Sequence, residues 1–183
     1  MQVSATGIDG VLLLEPKVFG DERGFFMESF NQAAFDAAVG YAVAFVQDNQ
    51  SRSTRGVLRG LHYQLEPHAQ GKLVRVTQGS VFDVAVDIRP GSATYGRSVG
   101  MELSGTNHRQ LWIPPGLAHG FLVTSESADF LYKTTAYYAP AAERSLRWDD
   151  PLLAIDWPVT GSAPVLAPKD ARAPGLQDLD RAR

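Results

Sequence analysis

The sequence predicts an all-β sandwich or barrel with few, short helices, and three observations carry that expectation. Short runs rich in β-branched and aromatic residues follow one another from about Phe25 to Tyr138, with Gly and Pro between them at turn-like intervals. A helical pattern is clear only at Asn31 to Val39. The run Val81 to Ile88 is too apolar for a strand with one wet face, so it belongs between two packed layers.

Taken in order along the chain, the helix comes first. Asn31 can cap its first turn with a side-chain oxygen, Phe35 supplies an apolar face, and Gly40 ends it. Strands are then expected at Tyr41 to Gln47, Leu73 to Thr77, Val81 to Ile88, Ser98 to Leu103, Gln110 to Ile113, His119 to Val123 and Asp129 to Thr135. Within Val81 to Ile88 the even residues pack, while Asp83 and Asp87 need polar partners. No repeat or linker interrupts the chain until Ala163 to Arg183 turns rich in Pro, Ala and charge, the pattern of a tail. The 183 residues suffice for one core and are cramped for two, so one domain over residues 1–183 is expected.

Composition narrows the function. Hydrophobic residues at 44% and charged residues at 20% exclude a disordered, collagen-like or coiled-coil chain. Seventeen Lys and Arg against twenty Asp and Glu leave a net charge of -3, which offers no footprint for nucleic acid or an anionic membrane. An anionic ligand therefore needs local, placed cations. The lack of cysteine excludes disulfides, thiolate zinc sites, iron-sulfur clusters and cysteine nucleophiles, leaving His62, His68, His108 and His119 as candidate bases or ligands. Met1 to Gly10 does not read as a secretory signal, and no apolar stretch approaches the roughly 20 residues that span a bilayer. A cytoplasmic location is expected.

Unusual polar residues concentrate in Gln47 to Ser51, Gly56 to Gln64 and Gln70 to Lys72. Strand alternation puts Leu58, Gly60, His62 and Gln64 on one face, with Arg59, Leu61 and Tyr63 on the other. Any one of Gln47, Asn49 and Gln64 could simply satisfy backbone; together they mark a wet cavity. A histidine whose second ring nitrogen is held by a carboxylate, here Asp170 or Asp83, can remove a proton near neutral pH. The ammonium of Lys72 could stabilise an enolate, and Tyr132 could donate a proton from the opposite side. The plainer alternatives are a barrel-lining aromatic for Tyr132 and a structural hydrogen bond for His119.

The block Trp112 to Phe121 resembles the second motif of the cupin family, and Gly60 to Gly79 the first, which implies a double-stranded jelly-roll barrel. Metal-binding cupins pair two histidines one residue apart with a carboxylate and a later histidine. Here Gln64 stands at the second histidine and Lys72 near the acid, so a site without metal is expected.

Longer motifs narrow the resemblance. Phe19 to Glu28, Phe45 to Asn49, Gly56 to Gln64, Gln70 to Val76, Asp83 to Arg89, Ile113 to Phe121, Tyr132 to Thr134 and Trp148 to Pro151 together resemble the dTDP-4-dehydrorhamnose 3,5-epimerase family, almost end to end. The resemblance implies a cofactor-independent isomerase that abstracts protons beside the C4 ketone of a dTDP-sugar, with no cofactor. It makes His62 the base, Asp170 its polarising partner, Lys72 the enolate stabiliser and Tyr132 the acid. Arg23, Arg59 and Lys169 match diphosphate contacts; Gln47 and Asn49 match nucleoside contacts; Tyr138 matches a base-stacking aromatic. Glu28 and Glu143 match further ligand contacts, and His119 a position lining the sugar pocket. Taken alone, Arg23 and Glu28 could be surface ion-pair residues of little energetic worth. Ahead of Lys169 and Asp170 the chain departs from the usual family pattern, with Ala167 and Pro168. The resemblance also implies a homodimer in which Arg23 and Glu28 complete the partner's site. The competing readings are a single-site 3- or 5-epimerase, a sugar-nucleotide 3,4-ketoisomerase and a non-catalytic carbohydrate-binding module.

Overall fold

The computed structural model describes residues 1–159 and 161–181. Its strands are β1 (Gln2–Ala5), β2 (Leu12–Glu15), β3 (Val18–Asp21), β4 (Gly24–Met27), β5 (Gln47–Thr54), β6 (Leu58–Gln64), β7 (Lys72–Gln78), β8 (Ser80–Asp87), β9 (Ser98–Ser104), β10 (Gln110–Ile113), β11 (Leu117–Val123), β12 (Ser127–Thr134) and β13 (Glu143–Ser145). A six-stranded sheet in the order β1-β2-β10-β7-β12-β5 faces a five-stranded sheet in the order β13-β6-β11-β8-β9. The pairings within both are antiparallel, and β3 pairs with β4 as a separate hairpin. This is the jelly-roll barrel that the motifs imply. No helix among the described residues is long and apolar enough to cross a membrane.

Three apolar layers hold the sheets. Val74, Val76, Leu111 and Phe130 of one sheet meet Val81, Leu117 and Phe121 of the other inside the barrel. Leu58, Leu61, Val84 and Val86 pack outward from the five-stranded sheet against Leu146, Leu153 and Leu179. Leu14, Leu73 and Trp112 pack outward from the six-stranded sheet against Phe35 of α1 (Gln32–Val39). Each such side chain, fully buried, contributes roughly 1.5–3 kcal/mol. Strand β8 is thus buried on both faces, as its composition requires, and its acids find partners: Asp83 with His119, and Asp87 with Arg89, Ser92 and Thr94.

Helix α1 follows the sequence reading. The Asn31 side chain accepts from Ala34 N–H, Phe35 is 1% exposed, and Gly40 closes the helix at φ +89°. Three expectations need correction. Residues Tyr41 to Val46 form no strand, because side chains of α1 take their backbone: Gln32 donates to Val43 O and Asp36 accepts from Val43 N–H. The strand is instead Gln47–Thr54, which lies at the sheet edge and is polar on most positions. The C-terminal segment is also no tail: Val165 bridges Val57, and Asp170, Ala173, Leu176 and Leu179 are buried. Its last two residues, Ala182 and Arg183, lie outside the described residues.

The third correction concerns β6. Its pairing with β11 shifts between His119, opposite His62, and Phe121, opposite Arg59, so three steps on β6 match two on β11. The parity of β6 therefore changes at Gly60 and Leu61. Leu58 joins Leu61 and Tyr63 on the outer face, and Arg59 joins His62 on the inner one. Gly60 makes this possible: its φ is +130°, and a Cβ there would lie 2.5 Å from Gly120 Cα and 2.9 Å from His119 O. Gly60→Ala is expected to cost roughly 2–5 kcal/mol, since strain and overpacking add. Urea unfolding measures this, and an unchanged midpoint would contradict it.

Candidate active site

The site grows from β6 and the segment that lies beside it. Leu58 N–H donates to Val165 O and Val165 N–H to Gly56 O, which anchors residues 165–167 next to β6. Pro168 then starts the short helix α2 (Pro168–Ala171), as its fixed φ favours. That turn delivers Asp170, 2% exposed, to His62: Asp170 Oδ1 lies 2.7 Å from His62 Nε2, and Oδ2 accepts Gly60 N–H at 3.4 Å. A carboxylate on Nε2 keeps the proton there, so the lone pair sits on Nδ1. The His62 side chain is 24% exposed, open enough to meet a ligand.

Lys72 starts β7 on the facing sheet and is 8% exposed, with Nζ 3.3 Å from His62 O. Burial pushes its pKa down to about 8; the nearby Asp83 and Glu143 pull upward, and Lys169 adds to the lowering. The ammonium is therefore charged at neutral pH but close to its titration. His119 lies opposite His62 in the ladder, and its Nε2 is 2.9 Å from Asp83 Oδ2. Burial pushes its pKa down against the pull of Asp83, which favours a neutral ring. Asp83 Oδ1 is buried with no hydrogen-bond partner among the described residues. The two acids named as possible partners of a histidine base thus divide: Asp170 serves His62 and Asp83 serves His119.

Tyr132 comes from β12 of the sheet facing β6, and its ring packs beside Phe130 with centroids 6.1 Å apart. Burial and the charge of Glu143 push the phenol pKa up, so it holds its proton at neutral pH. Arg59, brought inward by the irregularity in β6, donates to Ser53 Oγ at 3.0 Å. A second cluster joins Glu143, Lys169 and Tyr138: Lys169 Nζ donates to Glu143 Oε1 at 2.8 Å and Tyr138 OH to Oε2 at 3.2 Å. Burial raises the Glu143 pKa, but Lys169, His62 and Tyr138 outweigh it and keep the carboxylate ionised. Gln47 donates to Asn49 Oδ1 at 2.9 Å and accepts from Tyr138 N–H at 3.0 Å.

His62, Lys72, His119 and Tyr132 thus come from β6, β7, β11 and β12 of the two facing sheets, α2 brings Asp170 to His62, and Arg59, Gln47, Asn49, Tyr138, Glu143 and Lys169 lie on strands and loops of the same fold. Arg23 and Glu28 stand apart. Arg23 sits on the β3–β4 hairpin, 85% exposed, and pairs with Asp21; Glu28 accepts from Asn31 Nδ2 at 3.2 Å. Gln64, which the sequence groups with Gln47 and Asn49 but to which it gives no role, binds backbone on two loops with its carboxamide. Its place two residues from His62 was the available signal. Among the described residues no group of three or more His, Asp or Glu is disposed to hold a metal ion.

The arrangement sets a carboxylate-held histidine, a buried ammonium and a protonated phenol on two facing sheets, and the chain as a whole is similar to known proteins. The sequence profile of the dTDP-4-dehydrorhamnose 3,5-epimerase family matches residues 5–178. The dTDP-4-dehydrorhamnose 3,5-epimerase of Shigella flexneri is 59% identical over 180 residues, 98% of each chain. A crystal structure of the dTDP-6-deoxy-D-glucose-3,5-epimerase of Legionella pneumophila Philadelphia 1, in complex with dTDP-4-keto-L-rhamnose, superposes with a TM-score of 0.94 at 55% identity, covering 99% of this chain and 95% of that one. A 3'-monoepimerase from Streptomyces bikiniensis, in complex with dTDP-quinovose, has a TM-score of 0.91 at 34% identity, with 97% and 89% covered. With a family profile spanning nearly the whole chain and such identity to its members, this cupin-fold protein belongs to the dTDP-4-dehydrorhamnose 3,5-epimerase family.

Proposed function

We propose that the chain inverts C3 and C5 of dTDP-4-dehydro-6-deoxy-D-glucose to give dTDP-4-dehydro-L-rhamnose. The observation that carries the reading is His62 on one sheet, held 2.7 Å from Asp170 of α2, with Tyr132 on the sheet that faces it. The C4 ketone acidifies the protons on both neighbouring carbons. His62 Nδ1 takes one of them, Asp170 stabilises the imidazolium, and the C–H electrons move onto O4 as an enolate. The Lys72 ammonium, held in a dry site, stabilises that oxygen. Tyr132 OH then returns a proton to the other face as the enolate collapses, which inverts the carbon. Tyr132 regains a proton from solvent, His62 loses its own to solvent, and the cycle repeats at the second carbon.

Arg59, Lys169 and Arg23 supply the cations that a diphosphate needs on a slightly acidic protein. Gln47, Asn49 and Tyr138 take the nucleoside, Glu143 makes a further ligand contact, and His119 lines the sugar pocket. We read residues 1–183 as one epimerase domain acting in the cytoplasm as a homodimer. The β3–β4 hairpin supports the dimer: Phe25 and Phe26 on it are 61% and 71% exposed, and Arg23 and Glu28 bond Asp21 and Asn31 and, among the described residues, none of those around His62. In a dimer they complete the partner's site. A single-site epimerase is the second reading, because the Streptomyces bikiniensis 3'-monoepimerase shares the fold. Identities of 59% and 55% to 3,5-epimerases, against 34% to the monoepimerase, favour double inversion.

The test is to trap the product with a C4 ketoreductase and a reduced nicotinamide, then assign its configuration. The L-rhamnose nucleotide is expected; a product inverted at one carbon would overturn double inversion. Tyr132→Phe separates acid from base: proton loss to solvent should continue, while trapped product should fall about 100-fold or more. Product at the wild-type rate would remove Tyr132 from the acid's role.

A further inference from the structure

The loop between β12 and β13 carries Tyr137 and Tyr138, 69% and 52% exposed, yet its residues 136–139 pair with no strand. Such exposed loop backbone is ordinarily left to water and moves freely. Here side chains from elsewhere take its peptide groups in succession. Gln70 Nε2 and Thr134 Oγ1 donate to Ala136 O at 2.8 and 2.9 Å. Gln64 Nε2 donates to Tyr137 O at 3.2 Å, Gln47 Oε1 accepts from Tyr138 N–H at 3.0 Å, and Gln64 Oε1 accepts from Ala139 N–H at 2.8 Å.

Gln64 is the centre of this set. It is 6% exposed on β6, and its second amide hydrogen goes to His68 O at 2.7 Å, so one carboxamide joins the 65–71 loop to the tyrosine loop. Both of its donors and its acceptor are used on backbone. Without them, two carbonyls and an N–H would lose their partners, and the tyrosine loop would have to be ordered at the moment of binding.

We propose that Gln64 is a positioning residue for the nucleoside end of the substrate, acting through Tyr138, whose ring it presets as a stacking face. This rests on the reading of Tyr138 as the aromatic that meets the base. Gln64 touches no reacting group, so its loss should weaken binding and spare the chemistry. A purely structural role would lower both.

The test is a double-mutant cycle on the full chain, with dTDP affinity from calorimetry and steady-state kinetics alongside. Gln64→Met keeps the volume and removes all three hydrogen bonds. It is expected to weaken dTDP and raise KM about tenfold, with kcat within about threefold of wild type. In a Tyr138→Ala background the same change should cost less than about twofold, because its route is already gone. Wild-type affinity in Gln64→Met overturns the proposal, and so does a full tenfold loss that persists beside Tyr138→Ala. If Tyr138→Ala alone leaves dTDP affinity unchanged, the stacking reading fails, and the route through Tyr138 with it. Should Gln64→Met not fold, Gln64→Glu keeps the acceptor for Ala139 but sets a carboxylate against two carbonyls, and the same cycle then applies.

Discussion

His62→Ala is expected to remove proton exchange at both C3 and C5 while leaving dTDP affinity within about twofold of wild type. The base meets the sugar and not the nucleotide, so binding energy from the diphosphate and thymine should survive. General base catalysis supplies about 10²- to 10⁴-fold, and that is the expected loss in turnover. The structure assigns the two histidine–carboxylate pairs unequally. His62 is partly open with its second nitrogen on Asp170, whereas His119 is buried on Asp83. In the proposed mechanism one base, His62, serves both carbons. Proton NMR of the 4-keto sugar in heavy water, with calorimetry of dTDP on the same variant, checks both halves. Exchange that persists at one carbon in His62→Ala would mean that a second base serves it.

Lys72→Met is expected to lower kcat about 10²- to 10³-fold without loss of stability. The ammonium lies in a dry site that opposes its charge, and removing it leaves an unbranched apolar chain of similar length. The sign of the pH effect follows from its lowered pKa of about 8, against 10.5 for a free lysine. Below about 8 the lysine is protonated in both folded and unfolded chains, and its burial cost is fully present. Between about 8 and 10.5 the unfolded chain holds more protons, so folding stability gains as pH rises through that window. Activity runs the other way. The charged form stabilises the enolate, so wild-type kcat should decline above pH 8 as Lys72 loses its proton. The groups facing it are Asp83, Glu143 and Lys169, with His119 nearby. A pH profile of kcat beside a thermal melt decides this. Wild-type kcat in Lys72→Met, or a melting temperature that collapses, would contradict the assigned role.

How much of the fold is legible in the sequence depends on the kind of signal. Strands buried on a face announced themselves: Gln110–Ile113 has the bounds expected, and β8 reads as two-sided because it is. The edge strand β5 could not be read that way, since a strand that alternates exposed and half-buried polar residues carries no apolar period. The four-residue strands β1 to β4 are too short for any period to accumulate. The C-terminal segment looked like a tail because its buried apolar residues, Ala173, Leu176 and Leu179, are spaced by Pro, Gly and charge. Its contacts with the outer face of the five-stranded sheet are tertiary and leave no local trace.

The site divides in the same way. His62, Lys72 and Tyr132 stood in motif blocks, and the fold puts Lys72 beside His62 and Tyr132 on the sheet that faces it. The inward turn of Arg59 was hidden, because simple alternation put it on the opposite face from His62 and only the register shift at Gly60 reverses that. The residues alone left open whether Asp170 or Asp83 serves a histidine base; the resemblance named Asp170 for His62, and α2 brings it to His62 Nε2. The hydrogen bonds of Gln64 depend on two loops meeting, so the residue alone gave only its position beside the base.

The proposed mechanism requires double proton exchange beside a ketone by one base. Its most direct test is to incubate the wild-type protein with dTDP-4-dehydro-6-deoxy-D-glucose in heavy water and follow the C3 and C5 protons by NMR. Deuterium entering at both carbons in the wild type, and at neither in His62→Ala, is the predicted result. Deuterium at one carbon alone, or at none, would contradict it.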